Sequence, residues 1–388
     1  MTEELILRNA NIVLDDDIVH GSIRIADGAI AEVAADGVGA VGDDMGGDFV
    51  LPGLVELHTD QIEGHLQPRP GRFWDAVPAV IAHDAQMTTS GVTTVLDALR
   101  IGEGPGETKL SRHAGALLRA IEDANAAGLL RADHLVHLRC EVATHDVVEV
   151  FERLGTNDLV RLVSLMDHTP GQRQYANVEA FRTYMVGKHH FSDAQFDAHV
   201  AELHERSARY SDAHRAQMAE RASARGLTLA AHDDATQAHV DESSGLGVRI
   251  SEFPTTIEAA RAAREAGQLV VMGAPNIVRG GSHSGNVSAL DLVRDGSLDI
   301  LSSDYVPASL LQAVFALVAR AELTLPEAVR LVSANPAGAI GLDDRGAIAV
   351  GRRADLVRVR VHDLDDETQL LPVVPTVRSV WREGERVA

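Results

Sequence analysis

His58 and Asp60 stand two residues apart at the end of an apolar run, GLVELHTD at 53–60. In a β-strand that spacing puts both side chains on one face. An imidazole beside a carboxylate is a workable pair of ligands for a divalent cation of the zinc or manganese type. Further apolar runs end in the same way: HLVHLRCE on Glu141, LVRLVSLMDH on His168, LTLAAHDD near His232 and LDILSSD on Asp304. Each residue alone has a plainer explanation. A strand-end histidine is usually a hydrogen-bonded structural residue, and Asp60, Asp234 or Asp304 could each open a helix as its N-cap. As a set they read as a metal site with His58, Asp60, Glu141, His168, His232 and Asp304 as ligands.

Many barrel metal sites bridge two ions with a carboxylated lysine. Lys109 and Lys188 are the only lysines, and neither ends an apolar run. Glu141 therefore becomes the expected bridging carboxylate, the alternative being a pair with Arg139 or another arginine. Cys140 alternates to the opposite side and is expected to pack. Two ions about 3.5–4 Å apart would activate a water and offset charge on an acyl or phosphoryl group. Asp304 would accept or donate the proton. These residues alone leave amide, ester and phosphoanhydride substrates open.

Two segments suggest what the site collects. In Pro275 to Asn286, PNIVRGGSHSGN, the successive N–H groups of Gly280, Gly281 and Ser282 could form an anion-binding nest. Arg279 adds a charged fork, and Ser282, His283, Ser284 and Asn286 add donors. A flexible Gly/Ser loop is the plainer reading. Just past the first ligands, HLQPRPG carries His65 and Arg69, with Arg72 following. Pro68 and Pro70 restrict the backbone on either side of Arg69. Both segments fit a polyanionic small molecule.

The elements that must position these residues are legible as periodicities. Residues 3 to 35 alternate apolar and polar, with turns at Asp15-Asp16-Asp17 and Asp27-Gly28, as half-buried antiparallel strands do. AIAV, ADLVRVRV and TVRSVWREGERV near the other end read likewise, so a small β domain built from both termini is expected (1–50 and 346–388). Between them, eight short apolar runs alternate with helical patterns: 53–60, 92–98, 134–141, 159–168, 227–234, 248–254, 269–276 and 298–304. That alternation predicts a parallel α/β sheet, closed as a barrel over 51–345 or open and doubly wound. Ser111 to Asn125 is an expected helix. Ser192 and Gln195 form a capping-box pattern opening another, toward Arg209. Ser211 is expected to open a separate one, stopped by Gly226.

Composition narrows the class. A formal charge of −22 over 388 residues argues against a nucleic-acid binder. One cysteine excludes a disulfide scaffold or a Cys-rich metal site. No run of about 18 apolar residues occurs, and MTEELILRNA lacks the build of a signal peptide. A soluble cytoplasmic protein with no membrane partner is expected. Eighteen histidines suit metal or acid–base chemistry.

The runs LPGLVELHTD, MDHTPGQRQY, AAHDDATQAHV, SEFPTT, MGAPNIVRGGSHSGNVSA, ILSSDYVPASLL and NPAGAIGLDDRGAIAVGRRADLV together resemble the triphosphate diphosphatases of the carbon–phosphorus lyase pathway, a branch of the amidohydrolase superfamily. The likeness runs from about Leu51 to Val357, and its His-x-Asp pair replaces the commoner His-x-His. It implies a distorted (β/α)8 barrel plus a small β-sandwich domain from both termini. It also implies hydrolysis of α-D-ribose 1-methylphosphonate 5-triphosphate to the 5-phosphate and diphosphate. His58 and Asp60 would then be first-strand ligands, Glu141 the bridge, His168 and His232 ligands of the second ion and Asp304 the acid/base. The superfamily's usual ligand strands are one, four, five, six and eight. The apolar runs give one, three, four, five and eight. That mismatch implies a further strand between Gly102 and Arg131 and one strand too many among 248–254 and 269–276. Gly64 stands where relatives would have a more basic residue, which bears on triphosphate affinity.

Two divalent ions per chain are expected, zinc first, manganese or iron as alternatives, and a homodimer is the expected assembly. The alternative activity is a C–N hydrolase, a deaminase or cyclic amidase with the same fold and metals. A third reading is a barrel without metals that acts as a scaffold.

Overall fold

The structure is a computed structural model of the chain, describing residues 4–35, 41–103, 109–171, 173, 181–182, 192–282, 285–363, 371 and 373–388. Strands from the two ends make one sheet. Glu4–Val13, Ile18–Ala26 and Ala29–Ala35 form an antiparallel meander, and Phe49–Pro52 joins it to Leu356–Asp363 and Val373–Arg382. Its Asp27–Gly28 turn takes positive φ at both positions, 51° and 78°, as a two-residue hairpin that follows strand twist requires. The sheet curls until its edge strand Ala29–Ala35 meets the lead-in to Leu356–Asp363: Ala29 bridges Arg353, and Ile30 donates its N–H to the Arg352 carbonyl. Ile23, Ile25, Ile30, Val50, Leu356 and Trp381 fill the space inside. AIAV at 347–350 is a turn and not a strand, with Ile348 buried in that core.

The second sheet has eight parallel strands in sequence order. They are Leu54–Thr59, Val92–Ile101, Asp133–Glu141, Val160–Met166, Thr228–His232, Ile250–Glu252, Leu269–Gly273 and Ile300–Ser302, and are numbered one to eight below. Each contributes an apolar residue to the barrel interior, among them Leu57, Leu96, Leu162, Ala230, Ile250, Val271 and Ile300. Alternate residues such as Leu99, Leu138, Cys140 and Leu165 face the surrounding helices. All eight apolar runs are therefore barrel strands. The further strand expected between Gly102 and Arg131 is not present among the described residues; they hold a 3-10 turn, Lys109–His113, and the helix Ala114–Ala126. Neither 248–254 nor 269–276 is superfluous. The ligand candidates thus sit on strands one, three, four, five and eight.

One helix runs from Asp193 to Ala224, opened by a complete Ser192/Gln195 capping box. Ser211 opens no helix of its own, because its hydroxyl donates to Asp167 Oδ2 at 2.7 Å and no glycine or proline interrupts the run. Among the described residues no helix is long and apolar enough to cross a membrane. Val357, Val359 and Val380 of the terminal sheet share a core with the barrel's helices, fixing the small sheet to the barrel.

Candidate metal centre

Parity along the strands selects the residues of the mouth. On strand three, Leu135 belongs to the barrel interior, so His137, Arg139 and Glu141 climb the same face, while His134, Val136, Leu138 and Cys140 face the helices. Glu141 sits at the carboxyl end, where barrel enzymes build their sites. The same rule brings His232, Glu252 and Asp304 to that end from strands five, six and eight, while on strand one the alternation is broken by a register shift between Glu56 and Thr59, the stretch that carries His58.

His58 is buried, and its Nδ1 is hydrogen-bonded to Glu252 Oε1 at 3.0 Å. Burial disfavours the imidazolium, but Glu252 outweighs it and raises the His58 pKa. The His58 ring lies 5.7 Å from that of His232, and His232 lies 5.8 Å from that of His168, centroid to centroid. Phe253 packs against both His58 and His232, 5.0 and 5.2 Å away. Asp60 occupies the N-cap position of the helix Gln61–Leu66 yet makes no capping hydrogen bond. Its carboxylate instead pairs with Arg139 and lies 3.8 Å from His58 Nε2. Burial pushes the Asp60 carboxyl up, and Arg139 and His58 pull it below the ordinary value.

Glu141 meets His168 Nδ1 through Oε2 at 2.5 Å and accepts the His168 N–H at Oε1. It also accepts from Arg100 Nη2 at 3.1 Å. Burial acts against its ionised form, but His168 and Arg100 hold it down at about 2. The arginine partner is therefore Arg100 and not Arg139. Asp304 completes the ring: burial raises its pKa, while His58, Arg139 and His232 act to lower it. His58, Asp60, Glu141, His168, His232 and Asp304 converge on one mouth.

Glu252 is a member that the sequence reading missed, although it ends the run VRISE just as Glu141 ends its own. The donor atoms of His58, His232 and Glu252 all lie within 4.8 Å of one another. Two buried atoms in this group, Glu252 Oε2 and His232 Nδ1, have no hydrogen-bond partner. Asp233 Oδ2 is 2.8 Å from that nitrogen, without hydrogen-bond geometry. Buried polar atoms are almost always satisfied, so orphaned acceptors among imidazoles and carboxylates fit a divalent cation. One layer down, His137 donates from Nδ1 to the Leu57 carbonyl and accepts from Ser164 at Nε2. Burial drives its pKa to about 3, so this imidazole is neutral.

The expected substrate contacts fare differently. His65 turns to the helix Ala76–Thr89, where its Nε2 meets Gln86 Oε1 at 2.7 Å, and so faces away from the mouth. Arg69 and Arg72 are exposed on a tight turn closed by the Arg72 N–H on the Arg69 carbonyl. Arg279 ends a short helix, Ala274–Arg279, and its Nε donates back to the Pro275 carbonyl. The N–H groups of Gly280 and Gly281 bond the Asn276 carbonyl, capping that helix. They are spent there and cannot form the expected nest. Ser282 and Asn286 are half-buried, and His283 and Ser284 lie outside the described residues. Gly64 is exposed.

A second cluster, His83, Asp97 and His134, also has donor atoms within 4.8 Å. It lies behind the barrel wall, where His83 Nε2 and His134 Nδ1 bond the two oxygens of Asp97 at 2.7 and 2.8 Å. His134 Nε2 also meets Asp84 Oδ1 at 3.4 Å, whereas the buried Nδ1 of His83 has no hydrogen-bond partner.

The sequence pattern of the amidohydrolase family matches residues 78–388. The chain is 46% identical, over 99% of its own length and 100% of the relative's, to the alpha-D-ribose 1-methylphosphonate 5-triphosphate diphosphatase of Escherichia coli (strain K12). In fold it is similar to a dihydropyrimidinase from Brevibacillus agri, with TM-score 0.63 and 14% identity over 99% of this chain and 95% of that one. It is equally similar to an N-acetylglucosamine-6-phosphate deacetylase from Pasteurella multocida, with TM-score 0.63 and 13% identity over 99% of both chains.

Proposed function

The chain belongs to the amidohydrolase family, and on that premise we propose that it hydrolyses α-D-ribose 1-methylphosphonate 5-triphosphate to the 5-phosphate and diphosphate. The observation that carries this reading is a barrel mouth lined by imidazoles and carboxylates in a chain 46% identical, end to end, to a diphosphatase. His58, Asp60, Glu141, His168, His232 and Glu252 would hold two divalent cations, zinc before manganese or iron, with Asp304 at their edge. Such cations supply Lewis acidity, which lowers the pKa of a bound water and offsets charge on phosphoryl oxygens.

The protein's own groups do the rest. The Asp304 carboxylate takes the proton of the attacking water. The water oxygen bonds to the phosphorus nearest the ribose, the bond from that phosphorus to the bridging oxygen breaks, and diphosphate leaves with the electron pair. Burial at Asp304 favours the protonated product of that transfer. Glu252 and Glu141 fix the ring orientations of His58 and His168 through their Nδ1 atoms, and Phe253 walls the site from the side.

The test is a parallel assay of diphosphate release from the ribosyl methylphosphonate triphosphate and ammonia release from a panel of cyclic amides and aminated rings. Diphosphate release dependent on added divalent metal supports the reading. Ammonia release without diphosphate release assigns the chain to C–N hydrolysis instead.

A further inference from the structure

The N–H groups of Gly280 and Gly281 are occupied with capping their own helix, so the negative charge of a triphosphate calls for other partners. Two cations stand in the barrel wall at the right height. On strand three Arg139 lies between His137, one layer down, and Glu141 at the rim. On strand two Leu96 belongs to the interior cluster and Leu99 to the outer one, so Arg100 takes the inward face. The Arg139 and Arg100 side chains are 11% and 25% exposed, against 0% for His137. They sit where the packed barrel gives way to the open mouth.

Arg139 pairs with Asp60, and Arg100 with Glu141. Arg100 and Arg139 stand opposite one another in the parallel register of strands two and three, so they flank the same space from neighbouring strands. Arg139 Nε is buried and has no hydrogen-bond partner, a cost that a structural ion pair alone leaves unexplained. Around them the mouth is strongly anionic, with Asp60, Glu141, Glu252 and Asp304 together. Two divalent cations would offset these four carboxylates and leave the charge of the triphosphate itself to be met, for which the planar fork of arginine suits phosphate oxygens.

We propose that Arg100 and Arg139, on strands two and three, grip the phosphate oxygens of the triphosphate tail in place of the Gly280 and Gly281 N–H groups. The proposal rests on the diphosphatase reading and names the groups that select its polyanionic substrate.

The experiment uses the metal-loaded full chain and its Arg139→Lys, Arg139→Met and Arg100→Met variants. Binding of inorganic triphosphate is measured by calorimetry, bound metal by elemental analysis, and kcat and KM by diphosphate release. Each Met variant should weaken triphosphate binding at least tenfold and raise KM more than it lowers kcat, with metal content unchanged. Arg139→Lys should restore part of the affinity, and it remains informative if Arg139→Met fails to fold. Unchanged triphosphate affinity in the folded variants would overturn the proposal, as would loss of metal alongside any loss of binding. If the wild type binds triphosphate but releases no diphosphate, the diphosphatase reading fails separately. If the wild type releases diphosphate and the variants bind triphosphate equally well, only the arginine grip fails.

Discussion

The amide N–H of Asp304 donates to the carbonyl oxygen of His58 at 3.1 Å, and through that bond the last barrel strand closes on the first. Asp60 returns the bond, its N–H donating to the Asp304 carbonyl at 3.0 Å. Lower down the two strands do not meet directly: Val55 bonds Val332 and Leu301 bonds Leu331 across an intervening segment. The barrel is therefore sealed at its mouth by the residues proposed to do its chemistry. Asp304 has φ +54°, a conformation that aspartate and asparagine tolerate better than most residues. Closure and the placement of the acid/base are one feature.

Asp304→Asn keeps those backbone bonds and that conformation while removing the proton acceptor. Turnover should fall by about 10²–10⁴, with metal content and thermal midpoint close to wild type. Diphosphate release, elemental analysis and a thermal melt on one preparation check this. A wild-type rate would assign the proton to another group.

Glu252→Gln should act differently. The carboxylate holds His58 Nδ1 and offers an orphaned oxygen to the same cluster. Burial disfavours its ionised form, yet His137 and His58 hold its pKa well below the ordinary value. The amide removes that charge, so the purified variant should hold fewer ions per chain and recover activity only at raised metal concentration. Full occupancy in Glu252→Gln would reduce Glu252 to an orienting partner of His58.

What the sequence disclosed divides along physical lines. Strand-end polar residues were legible because the two-residue period and the polar terminus both lie within a few letters, as at His58/Asp60 and Glu141. By that rule Glu252 was equally visible, and the superfamily's strand order obscured it by casting doubt on 248–254. Gly280 and Gly281 were misread for another reason. Composition shows that a backbone is unobstructed, but not whether its N–H groups are already spent on a helix end. Partnerships between separate elements were out of reach: nothing near Asp84 announces Arg131 and His134, and nothing near Ser211 announces Asp167.

The cluster behind the wall sets a pH dependence. Burial opposes charge on His134, but Asp97 and Asp84 together raise its pKa to about 9. A histidine raised above its unfolded value stabilises fully below about pH 6.5 and loses that contribution as pH climbs through about 9. The shift corresponds to about 3 kcal/mol. His134→Gln should therefore be less stable than wild type at pH 6, and urea unfolding should show the gap narrowing by up to that amount at pH 9.5. A gap that does not change with pH would mean that folding does not raise the His134 pKa.

Glu56 holds the seam from beneath. Its fully buried carboxylate accepts the His58 N–H at one oxygen and the Ser303 N–H at the other, both at 2.6 Å, so one side chain ties the backbone beside His58 to the backbone beside Asp304. Glu56→Ala strands two buried donors, each costing about 1–3 kcal/mol, and should lower unfolding stability by about 2–6 kcal/mol. Glu56→Gln keeps an acceptor for one donor and turns an NH2 toward the other, so its loss should be smaller but still measurable by urea unfolding. The same slackening separates His58 from Asp304, and a misplacement of about 1 Å can cost about 10²-fold in rate. Diphosphate release by Glu56→Gln, assayed well below its midpoint, should then drop although neither a proposed ligand nor the acid/base has been altered. Normal stability and rate in both variants would mean that the two backbone bonds between strands one and eight close the barrel unaided.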